Sequence, residues 1–176
     1  MPNYRRAFVP GGTWFFTVNL LERHNNDLLI REINILRHSV RRVRNKYPFM
    51  INAWVVLPEH MHCIWTLPSE DSDFSLRWRL IKSAFSRALP KNERRSAVRT
   101  AAGERGIWQR HYWEHLIRDE VDYERHMDYI HYNPVKHGHV RVVKDWPYST
   151  FHHLVSAGVY PVDWGDDASI EIDGDG

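Results

Sequence analysis

Apolar side chains recur along this chain with two different periods, and the switches between them mark out its elements. Across residues 13–20, Trp14, Phe16, Val18 and Leu20 share one face at period two, which predicts a strand. Asn25-Asn26-Asp27 breaks it. Across 29–46 the spacing becomes helical through Ile30, Ile33, Leu36, Val40 and Val43, while Arg37, Arg41, Arg42 and Arg44 lie mostly off that stripe. This is an amphipathic helix with a basic outer face, closed near Pro48. Residues 51–57 and 61–67 read as two strands joined through Pro58-Glu59, hence a hairpin. A second helix is expected over 75–89, through Leu76, Leu80, Ala84 and Ala88. Residues 90–106 combine Lys and Arg with small residues and are expected to form an exposed, mobile basic loop. Residues 112–118 fit a short strand. Asp119 then opens a helix with Glu120, Asp122 and Glu124 at its positive end, expected to stop near Asn133 because Pro134 follows. A short helix over 150–157 completes the pattern. The sum is an α+β sandwich, an antiparallel sheet with helices packed on it.

At 176 residues, with 43% apolar and 26% charged side chains, the chain has the size and balance of one ordinary globular domain. Charge changes that picture more than composition does. The net +2 divides into 19 basic against 9 acidic residues over 1–110 (net +10) and 5 against 13 over 111–176 (net −8). A basic body suggests a polyanionic partner. Residues 161–176 hold six acids and no Lys or Arg, so the domain is expected to span 1–160 and the acidic tail 161–176 to be disordered. The single cysteine, Cys63, excludes an intramolecular disulfide framework and suits a reducing cytoplasm. The start lacks the apolar core of a secretory signal, and no apolar run approaches the ~20 residues that span a bilayer.

The densest chemistry is His60-Met61-His62. On a strand, residues i and i+2 point to one face ~6.5–7 Å apart, so both imidazoles can turn to one divalent ion while Met61 and Cys63 turn into the opposite layer. A pair of surface or hydrogen-bonded histidines is the bland alternative. On the later helix Tyr129 and Asn133 are four apart and share a face, with His126 three before Tyr129 on the same side. An amide oxygen from Asn133 could complete a site built from two imidazoles, with a phenol one turn away. Tyr123 and Tyr132 are rivals that do not share the Asn133 face at that spacing.

The run Leu57-Pro58-Glu59-His60-Met61-His62-Cys63-Ile64-Trp65 resembles the His-hydrophobic-His (HUH) motif of single-tyrosine transposases. Residues 11–19 (Gly-Gly-Thr-Trp-Phe-Phe-Thr-Val-Asn), 108–115 (Trp-Gln-Arg-His-Tyr-Trp-Glu-His) and 128–138 (Asp-Tyr-Ile-His-Tyr-Asn-Pro-Val-Lys-His-Gly) resemble the REP-associated tyrosine transposases, in that family's order. The resemblance implies a ferredoxin-like sandwich with the nucleophile on a late helix. It implies His60 and His62 as metal ligands, Tyr129 as nucleophile, and Asn133 as the third ligand where relatives often carry Gln. It further implies an Mg²⁺ or Mn²⁺ cofactor, and cleavage and rejoining of single-stranded DNA beside palindromic hairpins through a 5′-phosphotyrosine. A nucleoid-associated location would follow, with action as a monomer and a dimer as the alternative. Arg5, Arg6, Lys82, Arg110 and Lys136 are candidate phosphate contacts, and Trp108 a candidate for base stacking. Two rivals stand beside this reading. A His-x-His hydrolase on a β/α barrel needs ~250 residues, more than the chain has. A catalytically silent nucleic-acid-binding module on the same fold is the other.

Overall fold

A computed structural model describes residues 7–91, 97–103 and 105–167. Among them, β1 (Thr13–Asn19) leads into α1 (Leu28–Arg31) and α2 (Ile33–Lys46). The hairpin of β2 (Met50–Val56) and β3 (His60–Thr66) follows, then α3 (Phe74–Arg87), α4 (Ala97–Ala101) and β4 (Trp113–Leu116). The chain continues through α5 (Glu120–Lys136), a 3₁₀ turn (Val143–Asp145) and α6 (Phe151–Ser156). The four strands pair antiparallel in the order β2-β3-β1-β4. With α1/α2 and α3 as the two crossovers this is the expected ferredoxin-like α+β sandwich.

Period two decides which side chain enters which layer. Trp14, Phe16 and Val18 of β1 join Met61, Cys63 and Trp65 of β3 on the face covered by α2 and α3. Trp65 stacks on Trp78 of α3 with ring centroids 4.3 Å apart, and Phe16 meets both edge-on. Full burial of each such ring contributes on the order of 2–3 kcal/mol. Phe15, Ala53, Val55 and Ile64 occupy the other face and join Met127, Tyr129 and Ile130 of α5 and Phe151 of α6. The second face therefore carries a helix of its own, and it is the face to which His60 and His62 turn.

Several boundaries differ from the pattern in the sequence. The helix over 29–46 is broken at Glu32, whose backbone (φ −108°, ψ 33°) leaves the helical region. The first turn is held elsewhere, because the Leu29 N–H donates to the Pro58 carbonyl (3.1 Å) and Leu29 is buried. Helix α5 does not stop before Pro134 but runs on to Lys136. Burial of Asn133 and Pro134 and the bonds His137 N–H to Asn133 O (3.0 Å) and His139 N–H to Pro134 O (2.9 Å) offset the one backbone bond that proline removes. Gly138 (φ +75°) then ends the helix in the left-handed conformation.

Over 90–106, expected to be an exposed, mobile basic loop, the described residues 97–101 are largely exposed but helical. The Arg105 guanidinium donates to the carbonyls of Leu89 (3.0 Å) and Pro90 (2.6 Å), closing the end of α3. At the other end of the chain the folded unit passes residue 160. Trp164 packs on Tyr160 (4.8 Å between ring centroids), Phe151 and Tyr132, so residues 161–167 form a turn on the body. Residues 168–176 of the expected tail lie outside the described residues, as do Arg5 and Arg6.

One buried charge ties the crossovers together. The Arg77 side chain is 1% exposed and donates to both Asp71 oxygens (2.7 and 3.1 Å) and to the carbonyls of Tyr47, Pro48 and Asp73. That bidentate bond holds the Asp71 carboxyl below its ordinary value, with burial opposing. Replacing Arg77 with methionine strands three carbonyls and is expected to lower the free energy of urea unfolding by about 3 kcal/mol. A change below about 1 kcal/mol would contradict that role for the guanidinium.

Candidate active site

The two histidines are placed by the β1–β3 register. Asn19 lies opposite His60 and Thr17 opposite His62. The turn before them is tied from two sides, by Leu20 N–H to Glu59 O (2.9 Å) and Leu29 N–H to Pro58 O (3.1 Å). Both histidines are 3% exposed, with ring centroids 5.0 Å apart and planes nearly perpendicular.

Each ring is gripped through one nitrogen. His60 Nδ1 lies 2.7 Å from Glu59 Oε1, and His62 Nδ1 lies 2.8 Å from Thr17 Oγ1. With each Nδ1–H donating outward, the Nε2 lone pairs are what the rings present to the site, the orientation that outer partners impose on metal-binding histidines. Burial raises the Glu59 carboxyl, but the hydrogen bond and charge from His60, with a bond from Arg23 (3.2 Å), outweigh it and hold the group at about 2. Burial keeps His62 well below the ordinary imidazole range, with the neighbouring positive groups adding to the effect, so its ring is neutral at physiological pH.

Helix α5 brings the complementary groups. Asp119 caps it, its Oδ1 accepting from Asp122 N–H (2.8 Å), and the helix lies across β2 and β3. The Tyr129 ring meets His62 edge-on at 5.2 Å. Burial raises its phenol above the ordinary value, and the nearby Asn133 amide offsets part of that. Asn133 is fully buried, yet neither its Oδ1 nor its Nδ2 makes a hydrogen bond of good geometry, and His62 Nε2 is equally without a partner. Buried polar atoms left unpaired cost ~1–3 kcal/mol each, and these three are open to a ligand. Two imidazoles and an amide oxygen form a donor set that suits a divalent cation, and on this observation the residues fit one.

The passage of α5 through Pro134 adds two groups that a helix ending at Asn133 would not predict in these positions. Lys136 Nζ stands 5.1 Å from the Tyr129 ring centroid, and the His137 ring 5.3 Å from that of His60. The rival Tyr132 turns away to Trp164. Cys63 is buried in the opposite layer, where burial pushes its thiol up. Arg23, Glu59 and Thr17 are the site residues that sequence reasoning missed. Glu59 adjoins His60 in the chain, but Thr17 becomes visible only with the strand register.

His126 does not join Tyr129. It turns to Asp122 (Nδ1 to Oδ1, 3.1 Å), which also accepts from His115 of β4 (2.9 Å), and the two imidazoles stack at 4.7 Å. These three side chains also bring ligand atoms within 4.8 Å of one another. Here, however, the converging atoms are already paired, with His126 Nδ1 donating to the Asp122 carbonyl (2.8 Å) and Asp122 Oδ2 accepting from Arg118 N–H (3.0 Å). That cluster is a hydrogen-bonded clamp of β4 on α5. Phe15 separates it from the first site, 4.7 Å from His126 and 5.7 Å from His62.

Trp108 is not a stacking platform: it is 7% exposed, packed on Phe85, and its indole N–H donates to the Lys82 carbonyl (3.2 Å). Lys82 Nζ in turn donates to Gln109 O (2.9 Å), while Gln109 N–H donates to Asn19 O (3.0 Å). Asn19 is paired with His60, so Lys82 and the exposed Arg110 stand at the histidine end of the sheet.

No family model matches the chain. It is 53% identical over 169 residues to the REP-associated tyrosine transposase of Escherichia coli (strain K12), covering 96% of this chain and 94% of that protein. The chain belongs to the REP-associated tyrosine transposase family. A Haemophilus influenzae (strain ATCC 51907 / DSM 11121 / KW20 / Rd) protein of the same family name is 47% identical over 176 residues, covering 99% of each chain. A solved structure of the REP-associated tyrosine transposase bound to a REP hairpin superposes with a TM-score of 0.81 at 51% identity, over 99% of this chain and 98% of that one. Within this transposase family fold, the unpaired Asn133 amide yields a direct stability test. Leucine keeps the branched skeleton of asparagine and removes both polar atoms, a gain that outweighs the roughly 1–3 kcal/mol cost of fitting its larger methyl groups, so in metal-free buffer Asn133→Leu is expected to raise the free energy of urea unfolding by about 1 kcal/mol. A loss beyond about 3 kcal/mol, more than the larger side chain costs, would show that the amide is paired inside the folded chain.

Proposed function

We propose that the chain is a metal-assisted transesterase that cuts and rejoins single-stranded DNA beside palindromic hairpins, through a 5′-phosphotyrosine on Tyr129. The observation that carries this reading is that His62, whose Nε2 is buried and unpaired, meets the Tyr129 ring at 5.2 Å, with the buried, unpaired Asn133 amide one turn along the same helix. The hairpin bound to the related solved structure supports the choice of DNA as substrate.

A divalent cation, Mg²⁺ or Mn²⁺, held by His60, His62 and Asn133 would neutralise a non-bridging phosphate oxygen and align the phosphorus for in-line attack. The chain's own residues do the rest. Glu59 and Thr17 hold the imidazoles in one tautomer and one orientation. Lys136, at the Tyr129 ring, and Arg23, Lys82 and Arg110, at the same end of the sheet, supply positive charge for the flanking phosphates. Burial raises the phenol's pKa, so Tyr129 enters the reaction protonated. Its Oη–P bond forms as the P–O3′ bond breaks; the phenol loses its proton and the departing 3′ oxygen gains one. One phosphoester replaces another, so attack by a 3′-hydroxyl reverses the step without a nucleotide cofactor. His60, His62 and Tyr129 come together within one chain, which supports action as a monomer, with a dimer as the alternative.

End-labelled hairpin DNA with a single-stranded flank, incubated with the protein and Mg²⁺ or Mn²⁺, is expected to yield a denaturant-resistant adduct. Tyr129→Phe should abolish the adduct while DNA binding persists, and His60→Ala should lower cleavage by about 100-fold or more. An adduct retained in Tyr129→Phe would move the nucleophile elsewhere. Tight binding with no adduct in the unaltered chain would leave the silent nucleic-acid-binding module.

A further inference from the structure

With Trp108 buried, the base-stacking role has no occupant, and the sheet register offers another. Thr17 is paired on one side with His62 and on the other with Trp113, the first residue of β4. Residues directly opposite in an antiparallel ladder point to the same face. The Thr17 hydroxyl contacts the His62 ring, so the Trp113 indole stands on the histidine face of the sheet, in a row with Thr17 and His62. Strands lie ~4.8 Å apart, which puts the Trp113 backbone about 10 Å from that of His62.

Trp113 is 62% exposed, whereas Trp14, Trp54, Trp65, Trp78 and Trp108 are buried. Among the described residues no aromatic ring stacks on it or meets it edge-on. Its neighbours on the strand explain why α5 leaves it open. His115, two residues on and on the same face, is the residue that the Asp122–His126 clamp engages, so the helix crosses β4 beyond Trp113. A large apolar ring is thereby held in water on a short edge strand, across one strand from the candidate metal ligands. Packing does not account for that position.

We infer that Trp113 is a base-stacking platform that receives an unpaired nucleobase of the single-stranded flank, about one or two nucleotides from the phosphate at Tyr129. The inference rests on the DNA reading above and adds a residue that sets where along the strand that phosphate comes to lie. Stacking needs only a π-face, so the contact positions the strand without dictating which base stands there.

Equilibrium binding of hairpin DNA carrying a single-stranded flank, read by fluorescence anisotropy in the Tyr129→Phe background so that no cleavage intervenes, tests it. Trp113→Ala is expected to weaken binding by about 5- to 150-fold, the fold-change for ~1–3 kcal/mol of stacking, and Trp113→Phe to restore most of it. A series of flanks with a single abasic nucleotide should contain one position whose loss weakens binding to Trp113 but not to Trp113→Ala. Unchanged affinity in Trp113→Ala, or abasic effects that are the same with and without the indole, would overturn the inference and leave the DNA reading standing. A parent chain that binds no such DNA would remove both.

Discussion

The antiparallel pairing of β1 with β3 is the constraint on which the site depends. It sets Thr17 against His62 and Asn19 against His60, so one strand orients the imidazoles carried by the next. A slip of one residue would carry both histidines into the layer filled by Trp65, Trp78 and Phe16, and Met61 and Cys63 out of it. Stacked and edge-on aromatic rings in that layer make the slip costly. The turn at Pro58-Glu59, bonded to both Leu20 and Leu29, fixes the register at the end where the histidines lie.

A second layer is needed to bring the phenol to the histidines, and the end of the chain supplies it. The His131 Nε2 meets Thr150 Oγ1 (2.8 Å), and the Tyr160 hydroxyl donates to Asp128 (3.0 Å). The Trp146 indole donates to the Val56 carbonyl (3.0 Å), and Val56 N–H to Tyr148 O (2.9 Å). These bonds tie α5 through residues 146–160 to β2, the strand beside His60 and His62. Burial holds His131 at about 4, which keeps it neutral inside this network near pH 7. Tyr129 is thus positioned from two directions, by the clamp of His115 and Asp122 before it and by this segment after it.

What could be read from the sequence was whatever periodicity and local spacing carry. The face shared by Trp14, Phe16 and Val18, the separation of His60 and His62 from Met61 and Cys63, and the Tyr129–Asn133 spacing all follow from periods of two and 3.6. What could not be read depends on partners distant in sequence. Thr17 enters the site only through its pairing with His62, and Trp108, whose ring the sequence leaves open to stacking or to packing, is enclosed by Phe85 and Lys82. Helix α5 passes Pro134 because its buried tertiary contacts outweigh the lost backbone bond, which local propensity does not record. Arg105 looked like part of a loose basic loop because its partners, the carbonyls at the end of α3, lie about 15 residues back in the chain.

The proposed chemistry needs His60, His62 and Asn133 to share one divalent ion beside Tyr129. A crystal of the full chain grown with Mn²⁺ and measured at an anomalous-scattering wavelength tests it most directly. The prediction is a manganese peak about 2.0–2.3 Å from the imidazoles of both histidines and from Asn133 Oδ1. Manganese found only at His115, Asp122 and His126, or bound with the Asn133 amide turned away from it, would contradict the claim.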